Sequence, residues 1–199
     1  ARVRQLRIKN NPHHNGNESY NYFLSVLFPH DQMQILDYNR VVMDLNGMSA
    51  TGFLEELAVN FDITNIGEGS KPRSVNEFHL YLDRCWYRLK ANEGLIERVD
   101  FDDQVVSLDV SILQDWILTP LLGIKDQRTD SRIDFVGGVR GMSELEKRVD
   151  SGGCAAAFAL FPTRIDDLLR VADADKVMPP KSTWFEPKLK SGLVTHILD

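Results

Sequence analysis

The segment Met178-Pro-Pro-Lys-Ser-Thr-Trp-Phe-Glu-Pro-Lys188 concentrates side chains suited to chemistry. Lys181 and Lys188 supply positive charge and Ser182 and Thr183 supply hydroxyls, a combination that makes charge-assisted contacts with an anion. Trp184 and Phe185 add flat apolar surface, and the prolines stiffen the backbone that carries them. Glu186 is a candidate general base if a pocket raises its pKa or holds it beside a hydroxyl. The plainer reading has both rings anchoring a loop on the core while the lysines stay in solvent.

A second candidate is Ile133-Asp-Phe-Val-Gly-Gly-Val-Arg-Gly141, which runs from an apolar stretch into a helix start. Gly137 and Gly138 let the backbone approach a ligand, amides at the helix start point outward, and Arg140 can neutralise a phosphate or carboxylate. The segment lacks both the Gly-Lys-Ser/Thr ending of a phosphate-binding loop and the GxGxxG spacing of a dinucleotide site. A simple turn from strand to helix is therefore the competing reading.

The third candidate is Arg40. On a strand over 34–44, alternation places it with Leu36, Tyr38 and Val42, an apolar face with a cation in its middle. Such an arginine needs a carboxylate or a ligand anion, and both stay open. Tyr38, Trp184 and Phe185 form the candidate aromatic platform. His13-His14 sit in a polar loop without a partner at metal-ligand spacing, and no metal site is expected. No Ser-His-Asp order or GxSxG elbow appears. Cys85 and Cys154 form no CxxC pair and read as small buried hydrophobes.

The elements that must position these groups are mixed. Aromatic and β-branched residues over 20–28 suggest a strand, paired as a hairpin with 34–44. Ser49 or Thr51 caps a helix carrying Phe53, Leu54, Leu57, Ala58 and Phe61 at helical spacing. A hairpin over 78–90 with Asp83-Arg84 in a two-residue turn pairs Leu82 with Cys85, Leu80 with Tyr87 and Phe78 with Leu89, all on one apolar face. Arg84 is awkward there, because a type I′ turn needs positive φ. Ile112, Leu113, Trp116, Ile117 and Leu121 trace a helix from Asp109 with a stop at Gly123. Ile133 to Val136 forms a strand, Ser143-x-x-Glu146 reads as a capping box, and Cys154 to Phe161 as a strand covered on both faces. A parallel crossover is the expected connection. A helix over 164–174 and a strand over 192–198 complete the reading.

At 199 residues, 43% hydrophobic and 26% charged, the chain is long enough for a substantial core and is neither largely disordered nor fibrous. A net charge of −6 argues against a nucleic-acid backbone or an anionic membrane as principal partner. No apolar run approaches the ~20 residues of a membrane span and no signal peptide opens the chain, so a cytoplasmic location is expected. Ala1 to Lys9 begins without Met and reads like the tail of a helix.

Several segments together resemble the C-terminal half of a widespread bacterial family, the domain of unknown function 1015 family. They are Tyr20-Asn-Tyr-Phe-Leu24, Ile35-Leu-Asp-Tyr-Asn-Arg-Val-Val42, Leu108-Asp-Val-Ser-Ile-Leu-Gln114, Arg132-Ile-Asp-Phe-Val-Gly-Gly138 and Met178 to Lys188, and they extend over essentially the whole chain. The resemblance implies an upstream Asp-Gly-His-His-Arg stretch similar to nucleotide-handling motifs of the ParB and sulfiredoxin-like superfamily, absent from this sequence. By analogy it implies phosphoryl chemistry on a small amino-acid metabolite.

The expectation is a single α+β unit over 1–199, antiparallel hairpins followed by a strand-helix-strand unit with helices packed on the sheet. It is taken as the C-terminal part of a longer protein, with a weak boundary at most near 67–74. Its expected function is the phosphate-ester or nucleotide-binding half of a small-metabolite phosphotransferase, with Arg40, Gly137, Gly138, Arg140, Lys181, Ser182, Thr183 and Lys188 on the anion and Glu186 as catalytic candidate. The alternative is a non-catalytic module that docks the missing N-terminal part or a second subunit. No cofactor follows from the sequence; a small anionic metabolite and a homo-oligomer are compatible with it.

Overall fold

The computed structural model describes residues 2–188, 190 and 192–198. Two compact units are present, one made of 1–33 with 187–199 and the other of 34–186.

The first unit carries α1 (Arg2–Asn10) and a short 3-10 turn at Ser19–Asn21 that buries Tyr20. The Tyr20 hydroxyl accepts from Asn11 Nδ2 at 2.9 Å and lies 3.0 Å from His14 Nδ1, while Glu18 pairs with His14 at 3.0 Å. His196 Nε2 meets the Ser19 carbonyl at 3.0 Å, tying the two ends of the chain together. The expected strand at 20–28 is absent: Tyr20 is spent on this turn, and residues 22–28 pair with no strand. No strand forms over 192–198 either.

The second unit begins with β1 (Gln34–Leu36) and β2 (Tyr38–Val42), followed by α2 (Ala50–Leu57), whose cap is Ser49 accepting from Gly52 N. Then come β3 (Phe61–Gly67), β4 (Glu77–Leu82) and β5 (Cys85–Ala91). Phe61 thus opens an edge strand instead of closing the helix. Its alternation with Ile63 is the strand signal, obscured by Asp62, Thr64 and Asn65 facing outward. The 67–74 loop lies inside this unit. The β4–β5 register is the one the apolar pairs imply, and Asp83 and Arg84 both adopt positive φ, 48° and 60°.

The short α3 (Glu93–Ile96) and α4 (Asp109–Leu113) follow, and α4 passes into a π turn at Gln114–Leu118. The helix expected here is not regular: its bonding widens at Gln114–Leu118, where the Thr119 N–H reaches the Gln114 carbonyl, and the turns run on to Gly123. The remaining elements are β6 (Ile133–Gly137), α5 (Met142–Asp150), β7 (Ala156–Leu160), α6 (Ile165–Asp173) and β8 (Trp184–Glu186). Gly141, at φ 71°, caps α5, so Ser143 lies within the helix and the expected capping box does not form. Its Glu146 instead accepts from Trp86 Nε1 at 2.7 Å.

The main sheet has the order β3-β5-β4-β7-β2-β6 and is antiparallel throughout, while β1 pairs with β8 in a separate ladder. Both β6 and β7 pair with β2. They therefore run in the same direction, as the crossover reading requires, but with β2 between them. One face of the sheet packs Val42, Phe78, Leu80, Leu89 and Phe158 against Phe53 and Leu57 of α2 and against Leu113 and Ile117. The other packs Val41, Tyr81, Trp86 and Val136 against Leu145 of α5. The fold is α+β, with helices on an antiparallel sheet. Among the described residues, no helix is long and apolar enough to cross a membrane.

Candidate functional site

Within the second unit, the amino-terminal end of β2 gathers most of the cationic and aromatic candidates. Alternation on β2 turns Tyr38 and Arg40 to one face, and pairing sets Arg40 between Phe135 of β6 and Phe158 of β7. Arg40 is 0% exposed. Its guanidinium donates to the Tyr38 carbonyl, to the Lys181 carbonyl at 3.0 Å and to Gln127 Oε1 at 3.3 Å, and lies 5.4 Å from the Phe135 ring centre. Every one of those oxygens is neutral. Burial pushes the Arg40 pKa down to about 9, leaving the side chain a cation at neutral pH. The carboxylate partner considered from the sequence is not there among the described residues.

Gln127 is held in turn by donating to Gln114 Oε1 at 2.6 Å, and Gln114 donates to Thr119 Oγ1 and the Ile124 carbonyl, both at 2.7 Å. The π turn at Gln114–Leu118 therefore carries the far end of the Arg40 network.

The 179–186 stretch folds back onto this cluster. Ser182 is buried, its hydroxyl donating to the Pro179 carbonyl at 2.6 Å, and its own carbonyl accepts from Thr163 Oγ1 at 2.9 Å. Lys181, at φ 58°, turns its ammonium out to 5.6 Å from the Tyr38 ring centre. The Trp184 ring meets Tyr38 edge-on at 5.3 Å and covers Gly137, where a β-carbon would come within 2.6 Å of the indole. Trp184 Nε1 donates to Glu186 Oε1 at 2.7 Å, which orients the carboxylate considered as a base. Phe185 pairs with Ile35 in the β1–β8 ladder, and Thr183 is partly buried.

The structure thus brings together Tyr38, Arg40, Gly137, Lys181 and Trp184. It does not bring in Arg140, whose exposed side chain pairs with Glu144 at 3.6 Å. Lys188 is exposed and belongs to the first unit. Gly138 serves another contact. Its N–H donates to the Asp37 carbonyl at 2.8 Å, and a β-carbon on it would lie inside the Asp37 carboxylate.

Sequence reasoning gave the opposite face no role. There Asp37, 1% exposed, accepts from Lys71 Nζ at 2.6 Å and from Asn39 Nδ2 at 2.7 Å, while Asn39 Oδ1 accepts from the Leu160 N–H at 3.0 Å. Two strands away, buried His79 has Nδ1 at 2.5 Å from the Ser70 carbonyl and Nε2 at 3.0 Å from Glu77 Oε1. Donation from Nδ1 to that carbonyl leaves it unable to act as a base on the Ser70 hydroxyl. The readable signal was polar residues two apart, 37 with 39 at the start of β2 and 77 with 79 on one face of β4.

The family described as "Protein of unknown function (DUF1015)" matches residues 1–111. The chain belongs to that family. Tyr38 and Arg40 fall inside the part of this DUF1015 chain that is matched, and Gly137 through Lys188 lie beyond it. An RNA exonuclease 3 from Emericella nidulans is 23% identical over 141 residues, which are 69% of this chain and 22% of that protein. Among solved structures, a free serine kinase in complex with AMP is 11% identical with a TM-score of 0.44, covering 78% of this chain and 54% of that one. A conserved hypothetical protein from Pyrococcus furiosus is 11% identical with a TM-score of 0.39, covering 77% and 56%. This DUF1015 chain thus spans about a fifth of the curated relative and just over half of these solved chains, at similarities that assign it no activity.

Proposed function

We propose that the 34–186 unit holds a phosphate ester or nucleotide, as the ligand-binding half of a small-metabolite phosphotransferase. The observation that supports this most is charge imbalance. Two cations, Arg40 and Lys181, stand against the rings of Tyr38, Phe135 and Trp184, and among the described residues no carboxylate pairs with either of them. A buried cation solvated only by neutral oxygens is costly, and a ligand anion at the outward-facing Lys181 ammonium offsets part of that cost through a low-dielectric path.

The division of labour follows from exposure. Lys181 makes the direct contact with the anion, Arg40 holds the Lys181 carbonyl in place and adds field, and the ring edges of Tyr38 and Trp184 offer apolar surface to a base. Phosphoryl transfer depends chiefly on positioning and electrostatics, so cations and rings suffice for this half. A thermal-shift series with ADP, AMP and pyrophosphate tests the reading, since a ligand that binds only the folded state raises the melting temperature. Unchanged melting with all three excludes it.

A second reading, a docking module, draws on a different observation. Residues 22–28 are all exposed, with Phe23 at 82% and Leu27 at 90%, a run of apolar side chains beyond what scattered surface residues produce. Trp184 no longer supports that reading, because its ring is engaged with Gly137 and Tyr38. Size-exclusion mass with Phe23→Ser and Leu27→Ser separates the two: a change in assembly favours docking, while an unchanged monomer removes it.

A further inference from the structure

In the first unit, the loop after α1 holds an imidazole in one orientation. His14 Nδ1 lies 3.0 Å from Glu18 Oε2 and 3.0 Å from the Tyr20 hydroxyl, and its ring stacks on that of Tyr20 with centres 5.8 Å apart. Tyr20 is buried and is itself fixed by Asn11 Nδ2, which donates to its hydroxyl at 2.9 Å. Glu18 is held as firmly. Its Oε1 accepts from the Asn15 N–H at 2.7 Å, and its Oε2 from the Gly16 N–H at 3.0 Å and from Asn21 Nδ2 at 2.9 Å. Arg4 Nε donates to Asn21 Oδ1 at 2.9 Å and so braces that amide from α1. Across the ring, His14 Nε2 has no hydrogen-bond partner among the described residues, and the side chain is 25% exposed.

These contacts fix where the proton sits. Burial works to raise the Glu18 carboxyl, but the N–H groups of Asn15, of Glu18 itself and of Gly16, with the charge of His14, hold it below the usual carboxylate range. It is therefore ionised at neutral pH. A carboxylate oxygen 3.0 Å from Nδ1 needs a proton between them, so the neutral ring carries its hydrogen on Nδ1 and its lone pair on Nε2. A carboxylate that orients an imidazole in this way prepares the other nitrogen to act as a nucleophile. His13, the preceding residue, is exposed and has no carboxylate at its ring among the described residues.

The charge of the unit selects the reactant. Residues 1–33 and 187–199 carry six lysines and arginines against three aspartates and glutamates, in a chain of net charge −6. Arg2, Arg4, Arg7 and Lys9 lie on α1, which has no acidic residue. A positive field of this kind concentrates anions. We propose that His14 is a phosphoryl-acceptor site, taking the group at Nε2 from a small anionic donor such as an acyl phosphate or a phosphoramidate. The Nε2 lone pair attacks phosphorus and forms a P–N bond while the bond to the leaving group breaks, its electron pair going with that group. Nδ1 keeps its proton, and the positive charge the ring gains lies against the Glu18 carboxylate. The site lies wholly within the first unit and does not depend on the anion reading of Arg40 and Lys181.

The test is incubation of the whole chain with phosphoramidate, from which ammonia leaves, followed by intact mass and by phosphorus NMR in alkali. The expected result is one fast phosphorylation giving the Nε2 isomer, retained in His13→Asn and lost in His14→Asn. Glu18→Gln should slow the fast phase at least about tenfold and give both ring isomers, because the amide no longer dictates which nitrogen holds the proton. A purely structural role for Glu18 would leave the isomer unchanged. Peptide fragmentation of the wild-type product, which places the group on His14 or on His13, decides the matter should a variant not fold. Reaction of His13 as fast as His14, attachment at Nδ1, or no fast phase means reactivity through exposure only and overturns the proposal. An unchanged rate and isomer in folded Glu18→Gln overturns it as well.

Discussion

Trp184 covers Gly137 so closely that indole atoms Cε3 and Cζ3 stand 2.6 Å from where a β-carbon would lie. Gly137 is buried at the end of β6, and the ring that covers it also meets Tyr38 edge-on. The glycine is therefore required by the close approach of the 179–186 stretch. Gly137→Ala should destabilise the protein by about 1–3 kcal/mol, the usual range for overpacking. Adding Trp184→Leu should recover part of that loss in a denaturant-unfolding series, a non-additivity that direct contact produces.

The turn of the β4–β5 hairpin offers a gain. Arg84 is held at φ 60°, a conformation that glycine adopts without a Cβ penalty. Arg84→Gly should raise stability by about 0.5–1 kcal/mol, and Arg84→Val should lower it. Shifts of the urea midpoint at constant slope would report both.

Lys71 and Asp37 illustrate an asymmetric pair: the lysine is half-exposed and the aspartate is buried. Removing the lysine leaves a desolvated carboxylate with Asn39 as its remaining side-chain partner among the described residues, so Lys71→Met should cost about 1–3 kcal/mol. Asp37→Asn in the same chain should reduce that cost, measured by a double-mutant cycle on unfolding free energy.

Asp109 sets a pH dependence. Its folded-state pKa of about 7 stands above the ordinary 3.8, so the folded protein holds this proton more tightly than the unfolded chain. The stability contributed is fully present below pH 3.8 and is lost as the pH rises through 7. Against Asp109→Asn, the wild-type chain should lose at least about 1 kcal/mol between pH 4 and pH 8. Unfolding titrations at intervals across that range check the sign.

Much of this arrangement was legible because local pattern and tertiary packing agree. Apolar pairing fixed the 78–90 hairpin down to its register, and the continuous apolar run before Phe161 marked the central strand β7. The α+β class followed. Failures came where a side chain took a tertiary role that spacing does not encode. Tyr20 looked like strand and is spent in a turn; Glu146 looked like a cap and serves Trp86; Phe61 looked helical and opens an edge strand. The candidate site was half readable. Tyr38, Arg40, Gly137, Lys181 and Trp184 come together, but Gln127 and Gln114, which hold Arg40 from far along the chain, left no local signature. The neutral environment of Arg40 is likewise a property of folded contacts.

The most direct measurement of the anion site is calorimetric titration of ADP and pyrophosphate into the wild-type chain and into Lys181→Asn. Asparagine tolerates the positive φ at this position, so the variant keeps the turn and removes only the ammonium. The expected result is saturable binding to the wild-type chain, weakened at least tenfold in the variant and by rising salt. Equal affinity in the two chains, or no saturable binding to either, would contradict a phosphate site at Lys181.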